Sequence, residues 1–125
     1  MKINYAKYIG IPFEYGGRDS ESLDCYGLVK QLYKEVNKVD IKDVKSASDL
    51  KMIAMQMTGC SYLWKKTQER EGTVVLLSVR GLASHVGFVI GRDKFIHTWE
   101  KSGGVTIERL STWKNKIIGF YEYAE

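Results

Sequence analysis

The residues of this chain best suited to chemistry are one cysteine and two histidines. Cys25 follows Asp24 at the head of an amphipathic segment, and His85 and His97 come later, in segments rich in strand-forming residues. A cysteine becomes a strong nucleophile when an imidazole takes its proton, and a further polar group can orient that imidazole. These residue types predict a cysteine hydrolase with Cys25 as nucleophile, His85 as base and His97 as the orienting residue.

The segment that starts at Cys25 has the periodicity of an amphipathic helix. Ser22 and Asp24 offer N-cap side chains immediately before it. The positive end of a helix favours a thiolate, and its free N–H groups can hold an oxyanion. One helix would therefore supply both nucleophile and oxyanion hole. Its buried face is formed by residues spaced three and four apart: Cys25, Leu28, Val29, Leu32, Tyr33 and Val36.

The two histidines must share one face of a sheet if they are to touch, and the register of a hairpin decides this. A two-residue turn at residues 92–93 would pair Phe88 with His97 and separate the histidines. A three-residue loop at residues 91–93 instead pairs Gly87 with His97 and makes His85 a diagonal neighbour. We therefore predict an odd-length loop, with His85, Gly87, His97 and Trp99 facing the Cys25 helix.

Length and composition predict one globular domain over residues 1–125, with 44% hydrophobic residues and 27% charged residues. The net charge of +4 suits an anionic partner such as a bacterial wall, and no zinc-finger or RNA-binding motif accompanies it. We expect no nucleic-acid partner, no metal and no cofactor. One Cys and two His leave a zinc ion without a fourth ligand, which makes a zinc site the weaker hypothesis.

Two cysteines, Cys25 and Cys60, form no Cys-x-x-Cys motif and no disulfide framework, so Cys60 is predicted to be a buried apolar residue. The first residues lack the apolar core of a signal peptide, and no apolar run is long enough to span a membrane. The expectation is synthesis in a reducing cytoplasm without membrane insertion.

The order of the predicted elements is typical of an α+β fold. A short helix opens the chain, the Cys25 helix follows, and a second helix is predicted from about Asp49 to Met57. A strand meander then forms an antiparallel sheet of about five strands. The predicted strands cover residues 74–79, 85–90, 94–99, 105–108 and 117–123.

Three sequence blocks resemble the NlpC-type family of papain-like cell-wall cysteine peptidases. Residues 10–17 with residues 24–29 resemble the nucleophile block, residues 84–91 the base block, and residues 95–98 with residues 104–107 the block of the third residue. The resemblance implies a papain-like core in which the nucleophile helix packs on the sheet. It also implies a triad of Cys25, His85 and His97 that cleaves peptidoglycan stem peptides, typically between D-γ-glutamate and a diamino acid.

The resemblance also suggests residues that contact the substrate. Asp24 matches the acidic residue before the family cysteine and is either a ligand for the amino end of the stem peptide or a helix cap. Phe13 stands where many members have a tyrosine, which Tyr15 replaces if the loop turns it inward. Tyr26 stands where a small serine is common and is expected to narrow the cleft. Trp99 is a further candidate for contact with the substrate.

Residues 17–19, Gly-Arg-Asp, and the absent signal peptide look more like the phage tail-associated branch of the family. Tail proteins are then possible partners besides the stem peptide, and the virion tail is a possible location. Two alternatives stay open. The chain either keeps the fold as a weakly active or non-catalytic tail or wall-binding protein, or it uses the triad as an acyltransferase or amidase on another substrate.

Overall fold

A computed structural model describes residues 4–42, 64–79 and 81–123, with only the backbone of Leu82 and Ser84. The predicted second helix and Cys60 lie outside these residues. The chain opens with a 3₁₀ helix at Tyr5–Tyr8. Helix α1 then spans Cys25–Asn37. The strands are β1 at Trp64–Thr67, β2 at Val74–Val79, β3 at Leu82–Gly91, β4 at Lys94–His97, β5 at Thr106–Arg109 and β6 at Ile117–Tyr123.

Helix α1 begins where the sequence predicts, because Asp24 is its N-cap and accepts a hydrogen bond from the Gly27 N–H at 2.7 Å. It ends at Asn37, where Lys38 adopts a left-handed conformation with φ 61°. The helix buries Leu28 and Leu32 completely. This buried stripe agrees with the predicted periodicity and holds the helix amino terminus, with Cys25, in place.

The strands form one antiparallel sheet in the order β1-β6-β2-β3-β4-β5. Five of the six strands correspond to predicted strands, although β3 starts earlier and β4 ends before Trp99. Strand β1 was missed, because its sequence Trp-Lys-Lys-Thr sits at an edge and lacks an apolar run. The α+β prediction is confirmed, with six strands among the described residues where about five were expected.

Each face of the sheet is covered by a different element. Helix α1 packs on the face that carries Val86, Phe88 and Ile96. The opposite face is covered by a 3₁₀ helix at Leu110–Lys116, whose buried Leu110 and Trp113 are its inward side chains. The sheet is therefore the middle layer, and any residue of β3 faces one cover or the other.

The β3–β4 hairpin has the predicted pairing of strands, but a bulge and not a three-residue loop produces it. Gly91 pairs with Lys94, so the turn has two residues, but a bulge between Val89 and Gly91 shifts the pairs beyond it to Phe88 with Ile96. Continuing that register places Gly87 opposite His97 and both histidines on one face. The predicted three-residue loop is therefore wrong, because the extra residue lies in the bulge within β3 and not in the turn.

The prediction that His85, Gly87, His97 and Trp99 face the Cys25 helix is wrong, and Trp99 packs in the cluster on the opposite face. Val86 and Phe88 pack against α1, so their alternate neighbours His85 and Gly87 point to the other face. The physical reason is that α1 presents an apolar stripe, which is matched by the apolar residues of β3 and not by its histidine.

None of the helices in the part of the chain that the structure describes has the length and apolar character of a membrane span.

Gly87 is a close-approach position, and its replacement tests the hairpin. A Cβ at Gly87 would lie 2.6 Å from Cδ2 of Phe95 and 3.3 Å from Cβ of His97. We expect Gly87→Ala to lower the free energy of unfolding by about 1–3 kcal/mol, because overpacking forces the hairpin to shift. Urea unfolding followed by circular dichroism measures this.

The matched control in the same strand is Gly91→Ala, where an added Cβ meets no atom within 4 Å. This variant should be neutral or more stable by up to about 1 kcal/mol. Equal destabilisation by the two substitutions would contradict the close contact at Gly87.

Candidate active site

Cys25 is the first residue of α1 and is 8% exposed. Burial raises the pKa of its thiol to about 12, and the charge of Asp24 adds to the rise. Hydrogen bonding from the backbone of Val86 and Tyr26, together with the Arg18 guanidinium, lowers the pKa without reversing the effect. In the state described here, Cys25 is therefore a neutral thiol at pH 7, held against the backbone of β3.

Asp24 has both carboxylate oxygens engaged within its own loop and helix. Oδ1 accepts from the Gly27 N–H at 2.7 Å and from Arg18 Nη1 at 2.6 Å, and Oδ2 accepts from the Gly16 N–H at 2.9 Å. These contacts give Asp24 the role of helix cap, one of its two predicted roles. Its contact with a substrate stays a prediction.

His85 and His97 are joined directly. Nε2 of His85 lies 2.8 Å from Nδ1 of His97, and the two residues are 4% and 0% exposed. Burial lowers the pKa of His85 to about 3, and the nearby His97 contributes to the same shift. Burial also lowers the pKa of His97, although Glu108 opposes it. Both imidazoles are consequently neutral at pH 7.

Glu108 extends this pair to a third side chain. Its Oε2 lies 2.6 Å from Nε2 of His97, and its Oε1 accepts from Nε1 of Trp113 at 3.1 Å. Glu108 pairs with Phe95 across β4 and β5, which puts it on the histidine face. Glu108 was not predicted, because it enters the site through the β4–β5 register, and an eight-residue connection between these strands leaves that register open.

Aromatic rings enclose the histidine pair. The His85 ring lies 5.8 Å from the Trp99 ring and 6.0 Å from the Trp113 ring, and His97 stacks on Phe95 at 4.5 Å. Trp99 is thus beside the predicted base, as its candidacy for substrate contact requires. Trp113 was not predicted, since it lies in a segment without strand or helix periodicity.

The two tyrosines predicted near the substrate occupy different environments. Tyr15 is 71% exposed and its hydroxyl donates to Glu100 at 3.3 Å, so the loop turns it outward and not toward Cys25. Tyr26 is 1% exposed and its hydroxyl donates to the Lys42 carbonyl. Tyr15 therefore lies at the surface beside Glu100, the residue that follows Trp99. Tyr26 belongs to the hydrophobic core.

The Cys25 thiol lies against the backbone of β3, and among the described contacts it has none with the His85 imidazole. Sγ of Cys25 is beside the backbone of Val86, the residue that follows His85. Proton transfer from this thiol to the imidazole would make Cys25 a nucleophile with His85 as its general base. Within the described ranges, His, Cys, Asp and Glu side chains form no group of three or more that could hold a metal.

The family model of the NlpC/P60 family matches residues 10–122. The chain belongs to this family. Among solved structures, the NlpC/P60 domain of the peptidoglycan hydrolase SagA covers 94% of the chain and 89% of its own length, with a TM-score of 0.61 and 19% identity. A Bacillus cereus NlpC/P60 family protein has a TM-score of 0.67 and 18% identity, covering 94% of this chain and 37% of its own. These likenesses establish the fold.

Curated relatives of this NlpC/P60 chain are longer proteins. Murein DD-endopeptidase MepS/murein LD-carboxypeptidase of Escherichia coli K12 is 25% identical over 114 residues, which is 90% of this chain and 55% of the relative. Gamma-DL-glutamyl hydrolase of Bacillus subtilis 168 is 30% identical over 122 residues, 94% of this chain and 27% of the relative. The chain thus spans about half or less of these relatives.

The buried histidines predict that this NlpC/P60 chain loses stability at acid pH. His85 has a folded pKa of about 3, and an unfolded histidine titrates near 6.5, so the unfolded state binds more protons between these values. The contribution of His85 to the free energy of unfolding is therefore fully present above pH 6.5 and is lost progressively as the pH drops below that value. The expected loss from His85 at pH 5 is about 2 kcal/mol, measured by urea unfolding between pH 7 and pH 5.

His85→Gln is the matched variant, because glutamine keeps hydrogen-bonding capacity without titrating. Its stability should change much less over the same range, with a residual slope from His97. A wild-type stability that stays flat from pH 7 to pH 5 would contradict a neutral, buried His85.

Proposed function

We propose that this chain is a cysteine peptidase that hydrolyses stem peptides of peptidoglycan, with Cys25 as nucleophile, His85 as base and His97 as the orienting residue. The observation that carries the proposal is the bonded pair of buried imidazoles, at 2.8 Å, next to the backbone that holds Sγ of Cys25. Family membership and the names of relatives that act on murein support the substrate class.

The reaction starts from a neutral thiol. Cys25 passes its proton to Nδ1 of His85 as Sγ attacks the carbonyl carbon, since Nε2 of His85 is engaged with His97. In this mechanism the N–H of Cys25, the first residue of α1, donates to the oxyanion. When the C–N bond breaks, His85 returns the proton to the leaving amine. Water then attacks the thioester, with His85 again taking a proton, and the thiol is restored.

The bond between D-γ-glutamate and the diamino acid is our choice of scissile bond. It is supported by the likeness to a gamma-DL-glutamyl hydrolase, whereas the DD-endopeptidase relatives favour a different bond. Trp99 beside His85 and the exposed Tyr15 are the proposed substrate contacts. Asp24 joins them only if the amino end of the stem peptide displaces one of its present partners.

Replacement of the nucleophile gives the direct test. Cys25→Ala should abolish cleavage of defined stem peptides while leaving the far-ultraviolet spectrum unchanged, because the side chain is small and mostly apolar in character. Mass analysis of the products identifies the bond that breaks. Cys60→Ala is the control and should keep the activity. Intact stem peptides after incubation with reduced wild-type protein across pH 5–9 would sink the proposal.

A second candidate function is favoured by the burial of the thiol. With the pKa of Cys25 raised to about 12 and that of His85 lowered to about 3, the resting pair is not ionised. A non-catalytic wall-binding or phage tail protein that keeps the fold would tolerate this state. The sequence likeness to the tail-associated branch favours the tail version, although Arg18 of its Gly-Arg-Asp run already has a structural role with Asp24.

The second candidate is tested by binding and by thiol reactivity. It predicts that the protein sediments with purified sacculi, that Cys25→Ala binds equally well, and that iodoacetamide modifies Cys25 slowly at pH 7. Rapid alkylation with an inflection well below that of free cysteine would rule it out, because such a thiol is activated for attack.

A further inference from the structure

Glu108 is the second member of a continuous hydrogen-bonded series from Trp113 to His85, and the proposed reaction gives it no role. The series runs from Trp113 Nε1 to Glu108, then to His97 Nε2, and from His97 Nδ1 to His85 Nε2. Each step is between 2.6 and 3.1 Å. Because each hydrogen bond needs one donor and one acceptor, the proton positions along the series are linked.

The proton positions follow in order from the Trp113 end of the series. An ionised carboxylate only accepts, so Trp113 donates to Oε1 and Nε2 of His97 must carry the proton that is donated to Oε2. A neutral His97 then has a bare Nδ1, which accepts from Nε2–H of His85. The remaining nitrogen of His85, Nδ1, is left without a proton. This is the nitrogen that a general base needs.

We propose that Glu108 is a positioning residue that sets both imidazoles in the Nε2–H form and so leaves Nδ1 of His85 ready to accept the Cys25 proton. This inference rests on the proposed function for its consequence in catalysis. Glu108 itself takes no proton during the reaction. Its carboxylate acts through His97, which lies between it and His85.

The substitution Glu108→Gln should reverse the series. An amide has one acceptor oxygen and one donor NH₂ group, and Trp113 can only donate. The amide oxygen therefore turns to Trp113 and the NH₂ group faces His97, whose Nε2 must then be bare. His97 would donate from Nδ1 to Nε2 of His85, and His85 would carry its proton on Nδ1, where it cannot act as base.

The first experiment reads the tautomers directly. The chain has two histidines, so ¹⁵N-histidine labelling and long-range ¹H–¹⁵N spectra at pH 7 give one pattern for each ring. We expect the Nε2–H form for both in the wild type and the Nδ1–H form for both in Glu108→Gln. Glu122→Gln, an isosteric change at an exposed pair with Arg70, is the matched control and should keep the wild-type pattern.

The second experiment removes the Trp113 indole, whose N–H fixes the orientation of the amide in Glu108→Gln. In Glu108→Gln with Trp113→Phe, no indole competes for the amide oxygen, so it can rotate and accept from His97. The double variant should show more of the Nε2–H forms than Glu108→Gln does. Trp113→Phe alone serves as the reference for the packing that is lost with the indole. With a stem peptide as substrate, kcat of Glu108→Gln should fall by roughly 10²-fold or more, with little change in KM, and partly recover in the double variant.

The outcomes separate the inference from the proposed function. Wild-type rings in the Nδ1–H form, a doubly protonated His97 at pH 7, or unchanged tautomers in Glu108→Gln would each overturn the inference, whatever the activity. The wild-type spectrum decides this even if Glu108→Gln fails to fold. If the tautomers switch as expected and the wild type cleaves no stem peptide, the proposed function fails while the assignment of Glu108 as the residue that sets the tautomers stands.

Discussion

Strand alternation in β3 is the constraint on which the site depends. Helix α1 requires apolar partners and receives Val86 and Phe88, so His85 must point to the other face. There it is buried, and a buried imidazole needs partners for its polar atoms. His97 and, beyond it, Glu108 supply them at 2.8 and 2.6 Å. The histidine pair is thus the consequence of packing on one face and hydrogen-bond satisfaction on the other.

The bulge in β3 connects this packing to the pairing of strands. Without it, the two-residue turn would place His97 opposite Phe88 and put the imidazoles on opposite faces. With one extra residue between Val89 and Gly91, the register beyond the bulge is offset by one. The close approach of Gly87 to the Phe95 ring belongs to the same register. A local irregularity of the backbone therefore decides whether the imidazoles can meet.

Much of the fold could be predicted because it depends on local patterns. The start of α1 follows from Asp24 as cap and a 3.6-residue apolar period, and β2 and β6 follow from short β-rich runs with the predicted bounds. Parity also predicted correctly that His85 and His97 share a face.

The features that could not be predicted depend on pairings between distant segments. Parity alone does not say which face α1 covers, and the histidines were placed on the wrong one. Glu108 enters the site through the register of β4 with β5, and Trp113 through the packing of a 3₁₀ helix that has no amphipathic period of its own. Both contacts join side chains whose relation is fixed only when the sheet is assembled.

The start of α1 must satisfy two opposing electrostatic requirements. A helix amino terminus is stabilised by an anion, and Asp24 provides one that also accepts from the Gly27 N–H. The same negative charge raises the pKa of Cys25, the next residue. Arg18 lies 2.6 Å from Asp24 and lowers that pKa, so it offsets the carboxylate without removing the cap. The loop before the helix therefore lets one carboxylate stabilise the fold while limiting its effect on the thiol.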